Sequence, residues 1–279
     1  MKLTHKLCGA ALLAVAGVAV ALPNNTKATD GDPRSAGADI EFTSTEITAE
    51  KPDPNHSGSG DGVPGNSSDL PWTDAKGFGV SAVTRLEFSK HAIVQDGKDQ
   101  PYQAKKWVST DEAGEAIENA NFVSFEDLRV IDDHSYKITA KIAKPFTNSR
   151  KAANGKDVSY TLDGTTLAYS NMTLSSTNGA PAEAYPTTGL QEGATLSYDK
   201  TTGGAPVVML DNTNTASLDQ YEKGAGKYNL YFGQYGSTEK DPEKSVLLTI
   251  PTSKNIMQEG KYSGVVEWTM ASIPTTPKG

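Results

Sequence analysis

One cysteine, Cys8, is all the thiol in this 279-residue sequence, and it lies in an apolar run from Cys8 to Leu22. Lys2 and Lys6 precede that run and polar chain follows from Asn24. This is the layout of a secretory signal peptide, because the run falls short of the roughly 20 residues of a membrane helix. Cleavage is expected after Ala28, where Thr26-Lys27-Ala28 leaves a small residue at the cut. His5-Lys6-Leu7, rather than small residues, stand before Cys8, so a lipoprotein reading fails and Cys8 leaves with the signal. A chain without thiols has no disulfide frame, thiolate metal site or cysteine nucleophile. A body of about 200 residues can bury a core without disulfides. Long apolar runs are also missing after Leu22, so the mature chain is expected to have no transmembrane segment.

Basic charge is scarce as well. Lys and Arg number 26 against 34 acids, a formal charge of -8, and loss of Lys2, Lys6 and Lys27 with the signal takes it to -11. That excludes nucleic acid as the expected partner and disfavours simple adhesion to anionic polymers. The mature histidines, His56, His91 and His134, lack metal-ligand spacing. There is no G-x-S-x-G elbow, P-loop or dinucleotide fingerprint. Asp211-Asn212-Thr213-Asn214 offers oxygen ligands, but such residues are ordinary in turns and the glycine of a calcium loop is absent. No catalytic residue, metal or cofactor is expected. Nor does the C-terminus, Ile273 to Gly279, carry a sorting sequence, so a surface location would have to be non-covalent.

What the sequence does hold is strand. After a small, polar segment over 29–37, expected to be flexible, Ala38 to Ile47 alternates apolar and polar residues. Residues 50–76 are rich in Pro, Gly, Ser and Asp and read as a loop, as does a second loop-rich insertion over 177–204. Between and beyond these, strands are expected over 78–88, 121–131, 136–144, 165–174, 207–210, 227–232, 245–250 and 261–270. Only Asp111 to Ala120 looks helical, weakened by Gly114. The pattern predicts an all-β domain over 38–279, an antiparallel sandwich or barrel-like fold with long loops and little helix.

Six segments in order carry a resemblance. The last strand reads Tyr262-Ser263-Gly264-Val265-Val266-Glu267-Trp268-Thr269-Met270, with Pro274 following. Upstream stand Val83 to Phe88, Val123 to Arg129 with Asp127 and Arg129 two apart, Phe146-Thr147-Asn148, Leu162 to Leu167, and Ser245 to Pro251. Together they resemble the WxL family of Gram-positive cell-surface domains. Glu267 and Met270 depart from the usual Thr and Leu, and Tyr136-Lys137-Ile138 stands where the family has its first W-x-L. The resemblance implies a secreted, extracellular protein held at the wall of a Gram-positive cell, with peptidoglycan or another wall glycan as partner. Other WxL proteins or membrane-anchored surface proteins are further partners it implies.

Candidate wall-binding residues are the aromatic and neighbouring apolar ones: Trp268, Met270, Tyr262, Tyr136, Trp107 and Trp72. Each has an alternative. Trp268 either stacks on sugar or faces the opposite sheet, and one-sided burial of a strand favours the core. Asp127 and Arg129 read as a structural ion pair sooner than a recognition pair.

Overall fold

The computed structural model describes residues 31–43, 75–110, 115–131, 133–152, 154–176, 184–213 and 223–273. The signal-peptide segment, most of the loop expected over 50–76, and Trp72 lie outside the described residues.

The regular structure of the described chain is nearly all strand, arranged in three main sheets and a hairpin. The largest sheet runs β14 (Val207–Asn212), β8 (Tyr136–Lys151), β17 (Gly260–Ser272), β1 (Arg34–Thr43), β3 (Leu86–Ala92), and β9 (Asp157–Thr161) pairs with the far half of β8. A second runs β13 (Gly203–Gly204), β12 (Thr195–Asp199), β10 (Thr166–Tyr169), β16 (Val246–Pro251), β4 (Asp99–Gln103). The third runs β11 (Met172–Ser176), β15 (Gly226–Phe232), β7 (Asn121–Asp127), β2 (Phe78–Val83). β5 (Trp107–Thr110) and β6 (Ala116–Asn119) pair only with each other. Pairing is antiparallel except between β1 and β3. The inner faces of the three main sheets share one core that joins Phe42, Ile142 and Trp268 to Leu167, Leu248, Val123 and Leu230. Among the described strands no closed barrel forms, which fits the sandwich alternative of the expected all-β class.

Two segments expected as single strands change sheet at a corner. The run over 78–88 breaks at Thr84, whose hydroxyl donates to the Phe122 carbonyl (3.2 Å) and accepts from the Phe122 amide (3.0 Å). The chain thereby passes from β2 to β3, from the third sheet to the first. The run over 165–174 breaks at Asn171, whose φ of 54° turns the chain from β10 into β11. The Asn171 amide side chain donates to Ser245 Oγ at 3.0 Å and holds that turn. Such corners let one continuous apolar run feed two packed layers.

Several elements differ from expectation. The first strand begins at Arg34, inside the segment expected to be flexible, because its register against β17 starts with Arg34 opposite Trp268. The third β strand segment expected over 121–131 ends at Asp127, where an ion pair fixes the turn. The helix expected over 111–120 is, over Ala116–Asn119, the strand β6, since pairing with β5 overrides the helical propensity of Ala and Glu. The insertion over 177–204 contains β12, whose Leu196 is fully buried. Only Leu196 and Tyr198 alternate there, too short a pattern to stand out from a loop.

The outer face of the first sheet is a ladder of compensated charge. Lys137 meets Asp211 (3.0 Å), Lys141 meets Glu267 (2.7 Å), and Lys90 meets Glu41 (2.9 Å). Asp39 receives both Arg85 and Lys261. Exposed pairs of this kind contribute about 0–1 kcal/mol each, and they keep a broad sheet face wetted.

Candidate functional site

β17 alternates strictly: Tyr262, Gly264, Val266, Trp268 and Met270 are buried and the residues between them are not. Trp268 is 1% exposed and lies where the three sheets meet. Its indole packs edge-on to Tyr169 of β10 (centroids 5.6 Å, 83°) and against Phe232 of β15 (5.8 Å). A small apolar crevice beside it, lined in part by Val123 and Tyr169, has room for about one water. Tyr262 and Met270 are sealed in the same core. Tyr262 OH accepts from the Gln258 amide at 2.9 Å. Tyr136, in the place of the family's first tryptophan, is fully buried, and its hydroxyl donates to the Gly224 carbonyl at 3.2 Å. Burial pushes the Tyr136 phenol well above its ordinary value, and that of Tyr228 up to about 12. These four candidate wall-binding residues therefore offer no surface to a polymer, and the core reading of Trp268 is the one the geometry supports.

The pair two residues apart on β7 and its exit turn is a latch. Asp127 is fully buried and accepts from Arg129 Nε (2.8 Å) and Nη2 (2.7 Å). Arg129 Nη1 donates to Ser272 Oγ at 2.8 Å, and the guanidinium lies 3.9 Å over the Phe78 ring. One side chain thus ties the end of β7 to the end of β17 and the start of β2. His134 Nδ1 approaches Asp127 Oδ2 to 3.0 Å, but off-line for a hydrogen bond. Burial would raise the Asp127 carboxyl; Arg129 and His134 outweigh it and hold the pKa below its ordinary value. The turn that this latch fixes presents Leu128, Val130 and Ile131 to solvent, with Val130 fully exposed.

Other segments of the resemblance also do structural work. Asn148 Nδ2 donates to the Glu259 carbonyl (3.0 Å), and a Cβ on Gly260, at φ 123°, would stand 2.8 Å from that nitrogen. Asn255 Oδ1 accepts from the Asp163 amide (2.7 Å) at the turn into β10. Asp211 and Asn212, weighed as calcium ligands, are engaged with Lys137 and with the His134 and Lys223 carbonyls. Among the described residues no group of three His, Cys, Asp or Glu is placed to hold a metal.

Aromatic surface gathers elsewhere, at the β5–β6 hairpin. Trp107 is half-buried and packs edge-on to Phe122 on the outer face of β7 (5.3 Å, 83°). Tyr231 of β15, also half-buried, flanks Phe122 at 5.5 Å. Lys106 Nζ lies 5.9 Å from the Tyr235 ring and pairs with Glu118 (3.2 Å) and Glu243 (3.9 Å). Ser124 donates to Asn229 Oδ1, and Asn229 Nδ2 donates to Tyr231 OH at 3.1 Å. Of the sequence candidates among the described residues only Trp107 falls here. Tyr231, Tyr235 and Asn229 were missed. β15 carries aromatics on both faces, Tyr228 and Phe232 inward and Tyr231 outward, so its alternation does not mark the outer one.

Compared with known proteins, residues 29–274 match the family model described as "WxL domain surface cell wall-binding". No curated protein and no solved structure matches the chain.

Proposed function

The chain belongs to the WxL domain family, and from that membership we propose a non-catalytic, secreted protein that attaches non-covalently to the peptidoglycan of a Gram-positive wall. The observation that carries this reading is the extent of the match, which takes in every described strand. The site supports it in kind. Asp127, one of the few buried carboxylates, is spent on a structural ion pair with Arg129. Neutral aromatic and amide groups gather at the one partly wetted tryptophan among the described residues, which suits sugar better than charge.

Washing intact producer cells with a denaturant that breaks only non-covalent contacts should release the chain at full mass. It should rebind when returned to washed cells. Retention through the wash, or release only after enzymatic cleavage of the wall, would contradict non-covalent attachment.

A second reading, a subunit held at the wall through a protein partner, is favoured by Leu128, Val130 and Ile131. Three aliphatic side chains on a turn fixed by the Arg129 latch form a rigid apolar projection, and other WxL proteins or membrane-anchored surface proteins are its natural partners. Val130→Asp should change stability by less than about 0.5 kcal/mol in urea unfolding, because the side chain touches water only. Under the main reading the variant binds isolated wall as well as the native chain. Loss of wall attachment in cells, with binding to isolated wall intact, would show that a protein partner carries it.

A further inference from the structure

We propose that the outer edge of β9 is a self-complementary docking strand, which pairs antiparallel with β9 of a second copy of this chain. The pairing joins the first sheets of two copies into one and is independent of wall attachment.

The ladder between β8 and β9 decides which groups can pair. The Leu162 amide donates to the Phe146 carbonyl (2.9 Å) and the Ala152 amide to the Lys156 carbonyl (2.8 Å). Between them Thr147 stands opposite Thr161 and Lys151 opposite Asp157. Bonded and non-bonded pairs alternate in an antiparallel ladder, so Val158 and Tyr160 turn their amides and carbonyls to β8. Asp157, Ser159 and Thr161 turn theirs away. Among the described residues no group pairs with those outward amides and carbonyls.

The outer edges of β4, β11, β2 and β14 are each interrupted or capped. Pro101, in the middle of β4, has no amide to offer. On β11 the Met172 amide donates to the Glu192 carboxylate and the Ser176 amide to Tyr185 OH. Arg34 Nε donates to the Val80 carbonyl on β2, and the Gln191 amide to the Met209 carbonyl on β14. Proteins blunt edges in such ways because an open edge is a template for another chain. Among the described residues β9 carries no such cap.

The strand also fits itself. Asp157-Val158-Ser159-Tyr160-Thr161 reads alike from both ends: polar, apolar, serine, apolar, polar. An antiparallel copy with Ser159 on the two-fold axis places Ser159 opposite Ser159 and Asp157 opposite Thr161. These are the residues with outward groups, so each pair exchanges both of its backbone bonds. Val158 then stands opposite Tyr160 on one face, a β-branched residue against an aromatic ring. Tyr160 is held for that contact, with its own copy's Arg150 5.4 Å over the ring and the ring packed on the core. On the other face the hydroxyl pairs Thr147–Thr161 and Ser149–Ser159, 3.1 Å each, run on into their counterparts. Asp157 keeps Lys151 at 3.0 Å and meets a Thr161 hydroxyl, so no like charges face each other within the paired strands.

A two-fold pairing consumes the edge and stops at two copies. So short a strand covers less than the roughly 1,000 Å² of a stable interface, so the pair forms only where copies are crowded. A surface supplies that crowding, and a pair attached at two points leaves it more slowly than one copy.

The test uses residues 29–279, which keep the whole described fold. In sedimentation equilibrium the mass should rise reversibly toward twice that of one copy between about 10 μM and about 1 mM. Over that range amide exchange should slow about threefold or more at Asp157, Ser159 and Thr161, and stay unchanged at Val158 and Tyr160, already bonded to β8. Ser159→Pro removes an outward amide and no internal bond, and should weaken association about tenfold with the fold intact. Ser159→Lys and Ser159→Asp should each do the same through like charges at the axis, and an equimolar mixture of the two should regain native association. A chain still monomeric at about 1 mM overturns the pairing. So does a dimer that the Ser159 variants leave intact, or one whose outward amides exchange no more slowly, since the copies then meet elsewhere. A monomeric chain that binds sacculi loses this pairing alone and keeps the wall reading.

Discussion

Trp268→Ala lowers the stability of the domain by about 3–5 kcal/mol, read as a shift in the urea midpoint at unchanged slope. The reason is position rather than size alone. The indole fills the junction of three sheets, and its removal strips ring contacts from Tyr169 and Phe232 at once. A crevice already lies alongside, so the new void joins it instead of collapsing. A domain of ordinary stability has only about 5–15 kcal/mol to lose, so this variant is the one most at risk of failing to fold. Trp268→Phe keeps an aromatic body in place and should cost about 1–2 kcal/mol. It should also bind wall as the native chain does. Wall binding lost by a well-folded Trp268→Phe would overturn the assignment of this residue to the core.

Asp127→Ala should be comparably severe, about 3–5 kcal/mol, because it leaves Arg129, only 16% exposed, without its carboxylate. Three strand ends part company when it goes, since the same guanidinium holds Ser272 and covers Phe78. Asp127→Asn preserves shape and isolates the charge. The folded carboxyl sits below the ordinary value of 3.8, so its contribution is present above that value and is lost as pH falls through the lower, folded one. The stability gap between native and Asp127→Asn proteins should therefore narrow steadily as pH falls below 3.8. Urea titrations at pH 7, 5, 4 and 3 measure it. A gap that widened on acidification would mean that the folded carboxyl is raised instead.

The fold class was legible because alternation is strong where it decides most. β17 and the first half of β8 show a buried face of large apolar residues, and the six segments of the family pattern fall in order along the chain. Corners were not legible. Thr84 and Asn171 interrupt apolar runs through a hydrogen bond and a positive φ that no periodicity announces. β6 was hidden by helix-forming residues, and its pairing with β5 is announced by no periodicity. The site was read least well, for a physical reason. A residue pattern that repeats across a family marks packing as readily as binding, and here Trp268, Tyr262, Met270 and Tyr136 mark packing. Trp107 was found only as an aromatic near a strand end. Phe122 follows soon after it on β7, but Tyr231 and Asn229 come from β15, far along the chain, and only the sheet brings them beside Phe122.

Direct attachment to the wall is tested most plainly by co-sedimentation of residues 29–279 with Gram-positive sacculi stripped of protein and teichoic acid. The account predicts saturable binding that soluble fragments of the glycan strand compete away. A chain that stays in the supernatant at every sacculus concentration, while remaining folded, would contradict it and pass the attachment to a protein partner at the Leu128–Ile131 turn.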